Sequence, residues 1–224
     1  TWPGDLNWRG KPVFEARGIY AYHRYPQGPR RIFMARNRQN HFHGESGLTE
    51  IASWGVHKMM GRPGDCHTYY EYTKDWGPEC DELFSLSVAG KRVRAVSGSG
   101  PGQVCMTNPK TRELFTAKLK EYIKADRAEV KDGNYPRIYD VSANDNHDKC
   151  VCANCMAAAQ KYGAYSGLVV EFTNAIAAGI ANEYPDVKVQ MFAYMFAMDP
   201  PQNIKARDNV LIRVAQLGTE FNGD

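Results

Sequence analysis

Asp145 stands in the part of this sequence richest in reactive side chains. Within VSANDNHDKCVCANCMAAAQKYGAYSG, residues 141–167, it follows Asn144 and precedes His147, Cys150, Cys152 and Cys155. A loop carboxylate can protonate a leaving oxygen, act as a base or orient a substrate amide. Glycosidases use carboxylates in this way across an oxocarbenium-like transition state. Asp145 is therefore the candidate acid/base or substrate-orienting residue, with Asn144 as its catalytic neighbour. The competing assignment is local: Asp145 and Asn146 can close an Asx-turn or cap a following helix.

The cysteines read C-x-C-x-x-C. Three thiolates and one further ligand complete a closed tetrahedral zinc site. His147 offers that ligand locally, and Cys66 or Cys80 can fold back to supply it. A Cys152–Cys155 disulfide and buried free thiols are the alternatives, and spacing does not choose among the three. A closed site leaves no position for substrate, so the cofactor expectation is a structural zinc and none for catalysis.

Other residues can contact a sugar. His67 lies in CHTYYEY, and Arg36 and Asn37 lie in MARNRQN. Trp54 and Tyr194, like Tyr70 and Trp76, offer an apolar ring face with a polar edge. Each also has a plain structural reading, as a packed ring or a solvated helix face.

The composition narrows the function classes. The chain has 224 residues, 43% hydrophobic and 24% charged, with a net charge of +3. These are ordinary values for a globular protein. Lys and Arg are scattered, so there is no basic stripe for nucleic acid and no basic block for an anionic membrane. No apolar run reaches the length of a bilayer span, and the first residues hold no signal-peptide core. Six cysteines are too few for a disulfide scaffold at this length. Oligomeric state is not legible.

The positioning elements are clearest in the second half. QVCMTNP (103–109) reads as a short strand ending in Asn108, a helix cap, and Pro109, a first helical residue. Phe115, Leu119, Tyr122 and Ile123 then mark one helical face over 110–124. RIYDVSA (137–143) reads as a strand, and 165–184 as a helix with Val169, Phe172, Ile176 and Ile180 inward, ended by Pro185. VKVQMFAYMF (187–196) and NVLIRVA (209–215) are further strands. In the first half, 13–22 reads as a strand, 32–40 as a short helix, 51–58 as a strand candidate and 60–102 as an excursion loop.

Strands alternating with helices predict right-handed crossovers and a parallel sheet. About six strands in this length predict an α/β chain of the (β/α)8 TIM-barrel type. The expectation is one domain over 1–224, a barrel fragment lacking its last strands, with a complete open α/β sheet as the runner-up. No Gly-rich phosphate fingerprint follows a strand, which argues against a dinucleotide site.

Several segments taken together carry a resemblance. ARNRQN, HTYYEY, QVCMTNP, SANDNHDKCVCANC and YSGLVVEFTNAIAAGIANEYPDVKVQMFAY occur in this order, followed by Pro200-Pro201. Over roughly residues 14–215 the chain resembles a bacterial domain-of-unknown-function family whose members look like glycoside hydrolases. These often carry an N-terminal domain similar to that of alpha-glucuronidases ahead of a (β/α)8 barrel. The resemblance implies an exported bacterial glycan-degrading enzyme with a carbohydrate substrate. It also implies a role for Asp145, since related barrel glycosidases place acids at the end of strand four. Those relatives often show two adjacent acids where this sequence has Asn144-Asp145. Glu220 is the late candidate for a second carboxylate.

Overall fold

The computed structural model describes residues 36, 37, 39, 59–130, 133 and 135–215. The chain divides into two compact units, Thr1–Met59 and Met60–Asp224. In the first, Arg36 is helical and Asn37 lies in a turn, and both are exposed. The expected strands at 13–22 and 51–58 lie outside the described residues.

The second unit begins with the short helix α1 (Tyr69–Thr73) and a 3-10 turn, Pro78–Leu83. A two-stranded ribbon follows, β1 (Ser85–Leu86) and β2 (Arg92–Val93), then the long helix α2 (Pro109–Glu129). The rest runs β3 (Ile138–Asp140), α3 (Ala153–Lys161), α4 (Tyr165–Ile180), β4 (Lys188–Ala193), a 3-10 turn at Met195–Ala197, and β5 (Val210–Val214). Segment 60–102, read as loop, thus carries real elements. They are too short to leave a periodic signal in the sequence.

The sheet is parallel in the order β3-β4-β5, as the alternating pattern predicts. Asp140 stands opposite Gln190, and Phe192 opposite Arg213. The barrel, however, is not formed. The described strands make two small sheets, the antiparallel β1–β2 pair and this three-stranded parallel sheet, and neither closes. The segment 103–107, expected as a barrel strand, contributes only an antiparallel bridge from Val104 to Phe84. Its apolar residues are buried by packing rather than by a ladder, a distinction that periodicity cannot make. Beyond β3, Met60 makes a single parallel bridge to Ile138. On the β5 side, Leu211, Ile212 and Val214 are exposed.

The helix ends follow from local chemistry. Asn108 caps α2, its side chain accepting from the Lys110 N–H at 2.9 Å, and Pro109 takes the first turn, where no N–H is needed. α2 buries Thr111, Phe115, Leu119 and Ile123, one face of a 3.6-residue period. α4 buries Val169, Phe172, Ile176 and Ile180 against it. Phe115 stacks on Tyr72 at 4.8 Å and meets Phe172 edge-on at 5.1 Å. Burying each such ring stabilises by about 2–3 kcal/mol. The packing also fixes α1 behind β3, where the Tyr72 hydroxyl donates to the Asp140 carbonyl at 3.0 Å.

Strand alternation divides the sheet into two faces. Tyr139, Val141, Val189 and Met191 join the apolar core with α2 and α4. Asp140, Gln190, Phe192 and Arg213 occupy the other face, and this polar face carries the candidate site. No helix among the described residues is long and apolar enough to cross a membrane.

Candidate functional site

The loop leaving β3 is held by a polar braid with the glycine-rich segment 98–103. The Asp145 N–H donates to Gly98 at 2.7 Å. Asn144 is buried, and its side chain donates to the Gly102 carbonyl at 3.0 Å and accepts from the Tyr70 N–H at 2.9 Å. Gln103 pairs with the Asn144 backbone through both of its amide atoms, at 2.8 and 3.0 Å. Asn146 donates to Gly100 and accepts from Gln103, while Asp148 accepts from the Gly102 N–H at 2.9 Å. The run of amides and acids in SANDNHDK thus supplies partners for backbone groups that would otherwise be buried unpaired. The Ser142 carbonyl and Asn144 also receive the first N–H groups of α1, which Thr68 does not cap.

Asp145 lies beyond the C-terminal end of β3, where open α/β sheets bind their ligands. Its Oδ1 atom is buried and accepts no hydrogen bond among the described residues. Tyr194, just past β4, lies close by: burial and then the Asp145 carboxylate push its phenol pKa up. His67 completes the group. Its ring stacks on Phe192 at 5.5 Å and tilts towards Tyr194 at 5.8 Å. Its Nδ1 lies 3.0 Å from the Ala143 carbonyl. A carbonyl only accepts, so Nδ1 carries the hydrogen of this contact. The backbone of His67 has φ 54° and that of Met195 φ 49°. Such left-handed geometry is costly for side-chain-bearing residues and collects at functional sites.

Beneath this group the polar sheet face is a closed network. Asp140 is fully buried and accepts from Thr68 at 2.9 Å, from Gln190 at 2.8 Å and from Ser142. Burial pushes its carboxyl pKa up to about 6 despite those three donors. Arg213 donates to the Asp65 carbonyl at 2.9 Å and lies over the Phe192 ring, 4.9 Å from its centre. Burial, with help from Asp65 and Asp140, pushes the Cys66 thiol up to about 12. Cys66 is therefore a poor nucleophile. A concavity lined by Ala181, Pro185, Arg207, Asp208 and Asn209 opens instead at the N-terminal end of β5, away from this group.

The cysteines meet on the other side of the same loop. The sulfurs of Cys105, Cys150, Cys152 and Cys155 all lie within 4.8 Å of one another. Cys105 enters from the chain ahead of α2, Cys152 sits at the N-cap of α3, and Cys155 lies in the first turn of that helix. Cys105 is held below the ordinary thiol range by hydrogen bonds from Cys150 and Cys155. The same bonds to Cys105 push the Cys150 and Cys155 thiols up.

The structure brings Asp145, His67 and Tyr194 together, and it gathers Cys150, Cys152 and Cys155. It turns Asn144 away from that group into the braid. His147 is exposed and outside the sulfur cluster, whose fourth member is Cys105, not Cys66 or Cys80. Arg36 and Asn37 belong to the first unit, and Trp54 and Glu220 lie outside the described residues. Sequence reasoning missed Cys105, Asp140, Gln190 and Arg213. The one available signal for Cys105 was a thiol at the end of an apolar run just before a helix cap.

The chain matches the model of one protein family, described as a domain of unknown function (DUF4838), over residues 2–223, and it belongs to that family. No curated protein and no solved structure matches it.

Proposed function

We propose that the chain carries the catalytic face of a glycoside hydrolase, with Asp145 as the acid/base or substrate-orienting residue. The observation that carries this reading is the buried Asp145 Oδ1, which no described donor satisfies. Orphaned buried acceptors are rare, and a catalytic or ligand-binding role is one of the few reasons to keep one. The surrounding rings suit a sugar. His67 and Tyr194, packed against Phe192, offer ring surface for its C–H groups and polar edges for its hydroxyls. Asp145 can protonate the glycosidic oxygen as its bond to the anomeric carbon breaks, and water adds to that carbon and releases a proton to solvent. Export, and a glycan met outside the cell, belong to the same proposal and rest on the resemblance of the quoted segments to a family whose members look like glycoside hydrolases. The reaction needs no metal in this reading.

A second reading is a non-catalytic carbohydrate-binding protein. Asn144 favours it: this residue stands where such relatives often have an adjacent second acid, and its amide is consumed by the braid. A screen of the full-length protein on aryl-glycosides and on uronic-acid, hexosamine and sialic-acid glycans separates the two. Release of reducing sugar from one class supports the hydrolase. Saturable binding without turnover selects the binding protein, and neither binding nor turnover overturns both.

A further inference from the structure

We propose that Cys105, Cys150, Cys152 and Cys155 hold one zinc ion as a closed tetrathiolate site that joins the loop carrying Asp145 to the chain ahead of α2. The geometry leads to the metal. Four sulfurs about 2.3 Å from a central zinc stand about 3.8 Å from one another at tetrahedral angles. Cys105 lies 3.7 Å from Cys152 and 3.8 Å from Cys155, sulfur to sulfur. A disulfide needs a separation of about 2 Å, and all four cysteines are free. An iron–sulfur cluster places several atoms between its thiolates and needs them farther apart than this group allows. Tetrahedral sulfur sites hold zinc or iron–sulfur groups, and the close spacing of these sulfurs favours the single ion over a cluster.

The surroundings suit the charge such a site carries. Four thiolates and a divalent ion leave two negative charges, which need donors when buried. The Leu86 N–H donates to the Cys150 sulfur at 3.3 Å, and the Arg92 guanidinium lies 3.9 Å from it. The Thr107 hydroxyl lies 3.2 Å from the Cys155 sulfur. The N-terminal end of α3 adds its partial positive charge beside Cys152 and Cys155. Cys105, Cys150 and Cys155 are buried, so the site is closed and leaves no coordination position for a substrate. Its work is mechanical: it fixes the end of the polar braid that aims Asp145. Bound zinc would also keep four close thiols from pairing in an oxidising compartment.

The test is metal analysis of the full-length protein purified without chelator, alongside mass spectrometry of its thiols. The expected result is about one zinc per chain, released when a mercurial titrates the thiols. Replacement by cobalt should give the spectrum of a tetrahedral tetrathiolate. Cys105→Ser should lose the metal and His147→Ala should keep it. The wild-type measurements stand even if Cys105→Ser fails to fold. Retention of zinc by Cys105→Ser, loss of zinc from His147→Ala, iron in place of zinc, or a metal-free protein with a disulfide among these cysteines would each overturn the proposal. None of these readouts involves glycan turnover, so the zinc site and the hydrolase reading can fail separately.

Discussion

Asn144 donates its side-chain amide to the Gly102 carbonyl at 3.0 Å, joining two loops 42 residues apart in sequence. The bond fixes Asn144 as a donor in a buried place. An acid there, which would recreate a pair of adjacent carboxylates, has no hydrogen to give once ionised. It would face a carbonyl oxygen with a negative charge. Asn144→Asp should therefore cost at least about 3 kcal/mol at neutral pH, the scale of an uncompensated buried charge. The loss should shrink in acid, where the protonated carboxyl can donate again. Urea unfolding at two pH values measures this, and a neutral or stabilising substitution would contradict the braid.

Gly102 tests the other side of the braid. It has φ 90°, and a Cβ there would meet the Arg94 carbonyl oxygen at 2.5 Å. Gly90, in the turn of the β1–β2 ribbon, has φ 73° with nothing within 4 Å of its Cβ position. Gly90→Ala should cost only the left-handed penalty of about 1–2 kcal/mol. Gly102→Ala should cost more, because a backbone atom must also move. Equal unfolding midpoints for the two variants would show that the loop yields freely.

Asp140 gives a prediction for pH. Its native pKa of about 6 lies above the ordinary 3.8, so the native state holds the proton more tightly than the unfolded chain does. The associated stability is fully present below about 3.8 and is lost as pH rises through about 6. The shift corresponds to about 3 kcal/mol at most. The stability difference between wild type and Asp140→Asn should fall over that window and then level off. A difference that grows with pH would reverse the assignment.

How much of this was legible can be seen in Asn144 and Asp145. Their loop position beyond β3 was readable, because RIYDVSA has the pattern of a strand and small polar residues follow it. Their division of labour was not. Neighbouring residues in extended chain point to opposite sides, and only the partner loop decides which side is buried. The same limit explains the cysteines. C-x-C-x-x-C announced a local cluster, but Cys105 reaches it across 45 or more positions of chain, a distance that spacing cannot bridge. Parallel pairing of β3, β4 and β5 followed from alternation of strand and helix. Barrel closure did not, because an apolar run such as residues 103–107 is compatible with a packed loop as well as with a strand.

Asp145 carries the proposed chemistry, and the most direct measurement is the kcat/KM of Asp145→Asn on whichever glycan the wild type cleaves. The amide keeps an oxygen that can accept from the neighbouring Tyr194 phenol, so the unfolding midpoint should stay nearly unchanged. Turnover should fall by at least about 100-fold, the scale of a lost general acid–base group. A variant with wild-type kcat/KM would contradict the claim and reduce Asp145 to a residue of the loop.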